Sequence, residues 1–167
     1  KARWYNQQYL HAADSRHLAG ILQPYLAAHG YSASDDYLAA VCKLMKDRMA
    51  VLTDFVGQAY YFFEDIKFYD DEKIAKNWKP DSRQIFESLV NKLAQVDNFD
   101  SAHIESTVKN FMEAHNLKMG QVMPVLRLAL AGTMQGPAVY EMMEVLGKER
   151  AIGRLRKGLE YFDTKLD

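Results

Sequence analysis

The chain has 167 residues, 49% of them hydrophobic, with 21 Lys and Arg against 22 Asp and Glu and a formal net charge of -1. That length holds one domain or two small ones, and the apolar content supports a packed core rather than a disordered chain. Near-neutrality excludes indiscriminate coating of nucleic acid, so any polyanion must be met by a local patch.

Taken in chain order, the pattern is helical almost throughout. Arg3–Leu10 reads as a short helix that buries Trp4, Tyr5, Tyr9 and Leu10. Asp14 caps a second helix, whose Leu18, Ile21, Leu22, Tyr25 and Leu26 share one face; Pro24 weakens it mid-run and Gly30 ends it. Ser32 followed by Asp35 resembles an acidic capping box for a third helix, which carries Leu38, Val41, Cys42, Met45 and Met49 inward. A fourth runs from about Leu52 to Phe63 and ends in the aromatics Tyr60, Tyr61, Phe62 and Phe63. Phe68-Tyr-Asp-Asp71 is a connection, and a subdomain boundary falls near Asp70.

A short helix, Asp71–Asn77, comes next. Lys79-Pro80-Asp81 opens another, with Ile85, Leu89, Leu93 and Val96 on its stripe. Asp100 caps the next, with Ile104, Val108, Phe111 and Met112 inward. Gly120–Leu130, Ala138–Leu146 and Lys148–Phe162 complete the set, the last with Ile152, Leu155, Leu159 and Phe162 on its apolar face. No segment alternates with period two between turn signals, so no sheet is expected. The fold class is all-α and multihelical, in two consecutive helical subdomains, 1–70 and 71–167.

Cys42 is the only cysteine, which excludes an internal disulfide and points to a reducing compartment such as the cytoplasm. In an apolar helix it reads as a buried spectator rather than a nucleophile. No apolar run approaches the roughly 18–20 residues of a membrane span. The chain begins at Lys1 rather than Met, as a piece of a longer protein or a processed product would. His11, His17, His29, His103 and His115 have no metal-ligand spacing, and no GxxxxGK[ST] or GxGxxG loop is present.

Charge is uneven. Residues 35–72 hold nine acids against four bases, whereas residues 148–158 hold five bases (Lys148, Arg150, Arg154, Arg156 and Lys157) against Glu149 alone. These cations are read mostly on the polar side of their helix, as a solvated face or as phosphate contacts. Arg127 stands among Val125, Leu126, Leu128, Ala129 and Leu130. A guanidinium there is the one exposed position of the helix, the partner of an internal acid, or a ligand-facing group. Gly136-Pro137 just before the next helix is a plain helix start or, beside Arg127, a turn that a nucleic acid can approach closely. Arg48, near the end of its helix, complements the helix dipole.

The run Lys118-Met-Gly-Gln-Val, Leu126-Arg127-Leu-Ala-Leu-Ala-Gly132, Gly136-Pro137 and Leu146-Gly-Lys-Glu-Arg150 through Arg154-Leu resembles the C-terminal end of bacterial-type glutamyl-tRNA synthetases. Arg3-Trp-Tyr-Asn-Gln-Gln-Tyr9-Leu10 resembles the Trp-x-Asn-x-x-Tyr segment that succeeds the catalytic half in that family, and Asp65–Phe68 also fits. The family usually has Pro directly before Leu-Arg, where here Val125 intervenes after Pro124. It often has Thr where Ala131 stands and a small polar residue where Gly136 stands.

The resemblance implies a monomeric, cytoplasmic anticodon-binding module for the loop of tRNA(Glu). In it Arg127, Gly136, Pro137, Val139 and, from the first subdomain, Arg48 meet the anticodon bases, while Lys148, Arg150, Arg154, Arg156 and Lys157 hold the RNA backbone. It places a catalytic half before Lys1, using ATP with magnesium to attach glutamate, so that these residues alone would neither activate glutamate nor bind ATP. Two other readings stay open. One is a helical protein-interaction domain using Tyr60–Phe63 and Phe68–Tyr69. The other is a small-ligand helical bundle.

Overall fold

The computed structural model describes residues 14–50 and 54–166. The Arg3–Leu10 helix lies outside the described residues. Those that are described form nine α-helices and two 3-10 turns with no strand, and they fall into two compact units, Lys1–Asp65 and Ile66–Asp167. Among the described residues no helix is long and apolar enough to cross a membrane.

In the first unit, α1 (Ser15–Ala28) and α2 (Asp35–Met45) pack against each other, a 3-10 turn Lys46–Arg48 comes after them, and α3 (Asp54–Ala59) runs into a second 3-10 turn, Tyr60–Phe62. Asp14 caps α1 by accepting from the amides of Arg16 at 2.8 Å and His17 at 3.2 Å. Its far end closes as a Schellman turn: the amide of Gly30, at φ 78°, reaches Ala27 O, and that of Tyr31 reaches Leu26 O. Pro24 does not interrupt the helix. The carbonyl it leaves without a donor belongs to Gly20, which is exposed to water. The cap of α2 is Ser34 rather than Ser32, its hydroxyl accepting from Tyr37 N at 3.1 Å.

The core of this unit is Leu18, Leu22, Leu26, Leu38, Val41, Cys42, Met45, Met49, Phe55 and Phe62, all buried. Tyr25 lies outside it, 45% exposed. Burial pushes the Cys42 thiol up to about 12, opposed weakly by Lys46, so it stays neutral and inert at ordinary pH. The aromatic run faces inward. Tyr61 and Phe62 are buried, the Tyr37 hydroxyl donates to Phe62 O at 2.5 Å, and the Phe63 ring meets those of Tyr31, Tyr37 and Phe55. The expected protein-facing patch at Tyr60–Phe63 is therefore mostly packed core.

The second unit holds α4 (Asp71–Asn77), α5 (Ser82–Ala94), α6 (Ser101–Ala114), α7 (Met119–Ala131), α8 (Val139–Leu146) and α9 (Lys148–Asp163). Asp100 caps α6 through His103 N at 2.8 Å, and Glu144 accepts from Ser101 N at 2.7 Å, so two acids satisfy the first turn. The buried stripe of α5 is Phe86, Leu89, Val90 and Leu93, with Ile85 and Val96 only half-buried. Counting from Phe86 gives the i, i+3, i+4, i+7 spacing and lets Phe86 meet the Trp78 ring, 5.9 Å away.

Helix α9 packs against α5, α7 and α8 through Ala151, Ile152, Leu155, Leu159 and Phe162. It approaches α7 so closely that a Cβ on Gly158 would stand 2.7 Å from Ala129 Cβ. Its last turn is tied down as well. Asp163 accepts from Trp78 Nε1 and Arg83 Nη1, both at 2.9 Å, and the Tyr161 hydroxyl donates to Asp71 at 2.8 Å.

Candidate nucleic-acid interface

Helix α7 is strongly apolar, with Val122, Val125, Leu126 and Leu128–Ala131 buried. Met123 and Arg127, one turn apart, are half-buried on a shared face that holds the segment between α7 and α8. Arg127 Nη1 donates to Pro137 O at 2.9 Å, and the Tyr140 hydroxyl reaches Met123 Sδ at 3.5 Å. Arg127 is thus neither a plain exposed residue nor explained by the apolar packing around it. Its guanidinium fixes the turn between α7 and α8.

That turn is anchored at both ends. Gly132, at φ 77°, ends α7 by donating to Leu128 O at 2.8 Å, and its carbonyl accepts from Asp70 N at 2.8 Å. At the other end is the Arg127–Pro137 bond, and within the turn Gln135 N donates to the Thr133 hydroxyl at 3.2 Å. The side chains of Pro137 and Val139 are buried, while Gly136 at φ 144° is half-buried and Gln135 and Ala138 are exposed. What the turn exposes is Gln135, Ala138 and part of Gly136, on a segment held by an arginine.

The five cations of α9 do not share one face. At 3.6 residues per turn, Arg150 and Lys157 lie opposite the core and are exposed, and Lys148 is half-buried. Arg156 is exposed on the flank toward α5, beside a groove of about 310 Å³ lined also by Arg83, Glu87, Asn91 and Glu160. Arg154 departs from the sequence expectation altogether: it is buried, 7% exposed, and its Nη1 donates to Leu130 O at 3.2 Å. Leu130 belongs to the last turn of α7, where carbonyls lack intrahelical donors and a cation suits the helix dipole. Arg154 caps α7 and is not placed to meet a phosphate backbone.

Arg154→Leu is expected to lower unfolding stability by about 1–2 kcal/mol, because it leaves a buried carbonyl unsatisfied. Urea unfolding monitored by circular dichroism checks this. No loss would mean that the carbonyl finds another donor.

In the first unit, Arg48 is exposed in the 3-10 turn at the end of α2. One further residue of the second unit stands out in the structure. Phe68, expected in a connection and, with Tyr69, among the aromatics of a protein-interaction surface, is 75% exposed, and its backbone carbonyl lies against Gly132 at the start of the turn. Among the described residues no group of three or more His, Cys, Asp or Glu converges to hold a metal ion.

Comparison with known proteins bears on this arrangement. A family model described as an anticodon binding domain matches residues 17–159. A glutamate–tRNA ligase of Porphyromonas gingivalis is 36% identical over 160 residues, covering 96% of this chain and 32% of that protein. The crystal structure of a glutamate tRNA ligase from Elizabethkingia meningosepticum, in complex with its amino acid, superposes with a TM-score of 0.88 at 31% identity, covering 95% of this chain and 31% of that one. That of the Elizabethkingia anophelis glutamate-tRNA synthetase gives 0.85 at 30% identity, again over 95% of this chain and 31% of that one. The chain spans about a third of the length of the relatives it matches.

Proposed function

The chain belongs to the anticodon-binding domain family, and from that premise we propose that it binds the anticodon loop of tRNA(Glu) on behalf of a ligase that attaches glutamate to that tRNA. Single-stranded loops are where RNA sequence is read, because their bases can be splayed out and met edge-on. The observation that supports the reading is the Arg127–Pro137 hydrogen bond: a guanidinium on a mostly apolar helix, donating to the turn that joins α7 and α8. In this reading the planar fork of Arg127 meets a base, the backbone of Gly136, Pro137 and Val139 lines the seat beside it, and Arg48 contributes from the first unit. Lys148, Arg150, Arg156 and Lys157 hold phosphates, which fix position without reading sequence.

The ATP- and magnesium-dependent ligation belongs, in this proposal, to the two thirds of the relatives that the chain does not span. The cytoplasm and a monomeric state complete the proposal.

A titration of the chain with transcribed tRNA(Glu), and with the same RNA carrying replaced anticodon bases, at two salt concentrations, tests it. Selective binding that weakens as salt rises is expected. Equal affinity for both RNAs would sink the anticodon reading.

A further inference from the structure

We propose that Phe68 is a stacking platform for one unpaired base of the bound RNA loop, beside the turn that Arg127 holds; this deepens the anticodon reading and rests on it. Phe68 is 75% exposed, more than Met119 at 49% or Tyr25 at 45%, and it belongs to a segment whose backbone is fixed rather than loose. On one side of it, the Ile66 side chain packs toward Gly132. On the other, the Tyr69 ring stacks on Tyr161 at 4.4 Å and meets the edge of Phe162 at 5.9 Å. Asp70 then donates its amide to Gly132 O at 2.8 Å and caps α4 through Lys73 N at 3.2 Å. Its neighbours are engaged, yet the phenyl ring points to water.

The backbone of Phe68 ties it to the turn. The Phe68 carbonyl lies against Gly132, the residue that opens the turn closed by Arg127 and Pro137. A base splayed out next to the turn has two apolar faces to cover. A phenyl ring on a fixed backbone offers a matching face and has only two side-chain torsions to immobilise. A phenyl ring has no hydrogen-bonding group, so it stacks on any base. Phe68 therefore adds affinity and not discrimination, whereas Arg127 supplies discrimination.

The test compares the wild-type chain with Phe68→Ala, Phe68→Leu and Phe68→Trp, using an RNA stem-loop with the glutamate anticodon and a second with those bases replaced. Circular dichroism confirms that each variant is folded. The alanine and leucine variants are expected to bind both loops about tenfold more weakly, with the ratio between the loops unchanged, and tryptophan should restore binding. A 5-iodouridine in the loop should photocrosslink to the peptide containing Phe68. If the wild type discriminates the loops and the alanine variant binds like it, stacking falls and the anticodon reading stands. Recovery by leucine also overturns stacking, because an aliphatic side chain has no ring. If the wild type binds both loops equally while the Phe68 series behaves as expected, stacking stands and the anticodon reading falls.

Discussion

Arg127→Ala is expected to lower affinity for the cognate anticodon loop by about 2–4 kcal/mol and to narrow the gap between cognate and altered loops. About 1–3 kcal/mol comes from the lost contact between the guanidinium and a base. About 1 kcal/mol more comes from releasing the turn, since Arg127 Nη1 donates to Pro137 O at 2.9 Å and alanine leaves that carbonyl without its donor. The two parts separate with Arg127→Lys. An ammonium can still reach Pro137 O but cannot present a planar fork, so lysine should keep the turn and recover little discrimination. Affinities for the two loops, measured side by side, give both numbers. A folded alanine variant that binds and discriminates like wild type would remove Arg127 from the reading surface.

How far the sequence could be read depended on whether a residue's fate is settled by its own helix. Asp14 and Asp100 were legible as caps because a cap acts on amides two or three residues away. The inward faces of α2, α6 and α9 were legible because period alone places Leu38, Val108 or Leu155. Arg154 was not. On a helical wheel it sits at the margin of the apolar stripe, and only the carbonyl of Leu130, on a different helix, draws it inside. The α5 stripe shifted from Ile85 to Phe86 for a similar reason, since the deciding neighbour is the Trp78 ring.

Of the candidate site, the sequence offered candidate residues but not their arrangement. Arg127 and Pro137 are ten positions apart, and nothing in their spacing states that one donates to the other's carbonyl. Phe68 was legible only as one of two aromatics that a protein partner could use, with no link to the turn. Its backbone carbonyl lies against Gly132, and a long-range backbone contact has no side-chain signature in the sequence. Gly132 itself was visible only as a glycine past the end of a helix.

Gly132→Ala is therefore the other substitution with a large expected effect, a loss of about 2–5 kcal/mol of unfolding stability. Two costs add. The residue sits at φ 77°, where a Cβ costs about 1–2 kcal/mol. That Cβ would also stand 2.8 Å from Ile66 Cγ2 and inside contact distance of the Phe68 carbonyl, which forces a backbone shift worth about 1–3 kcal/mol. Gly30→Ala separates the two, because Gly30 has nearly the same φ, 78°, with nothing within 4 Å of the added carbon. It should show the conformational cost alone, and urea midpoints of the two variants give the difference. Equal losses would mean that the 66–70 segment yields without penalty. An excess at Gly132 would mean that this segment is locked to the end of α7. Accommodating the Cβ would then displace the Phe68 ring from the turn, and RNA affinity would drop in the folded variant along with stability.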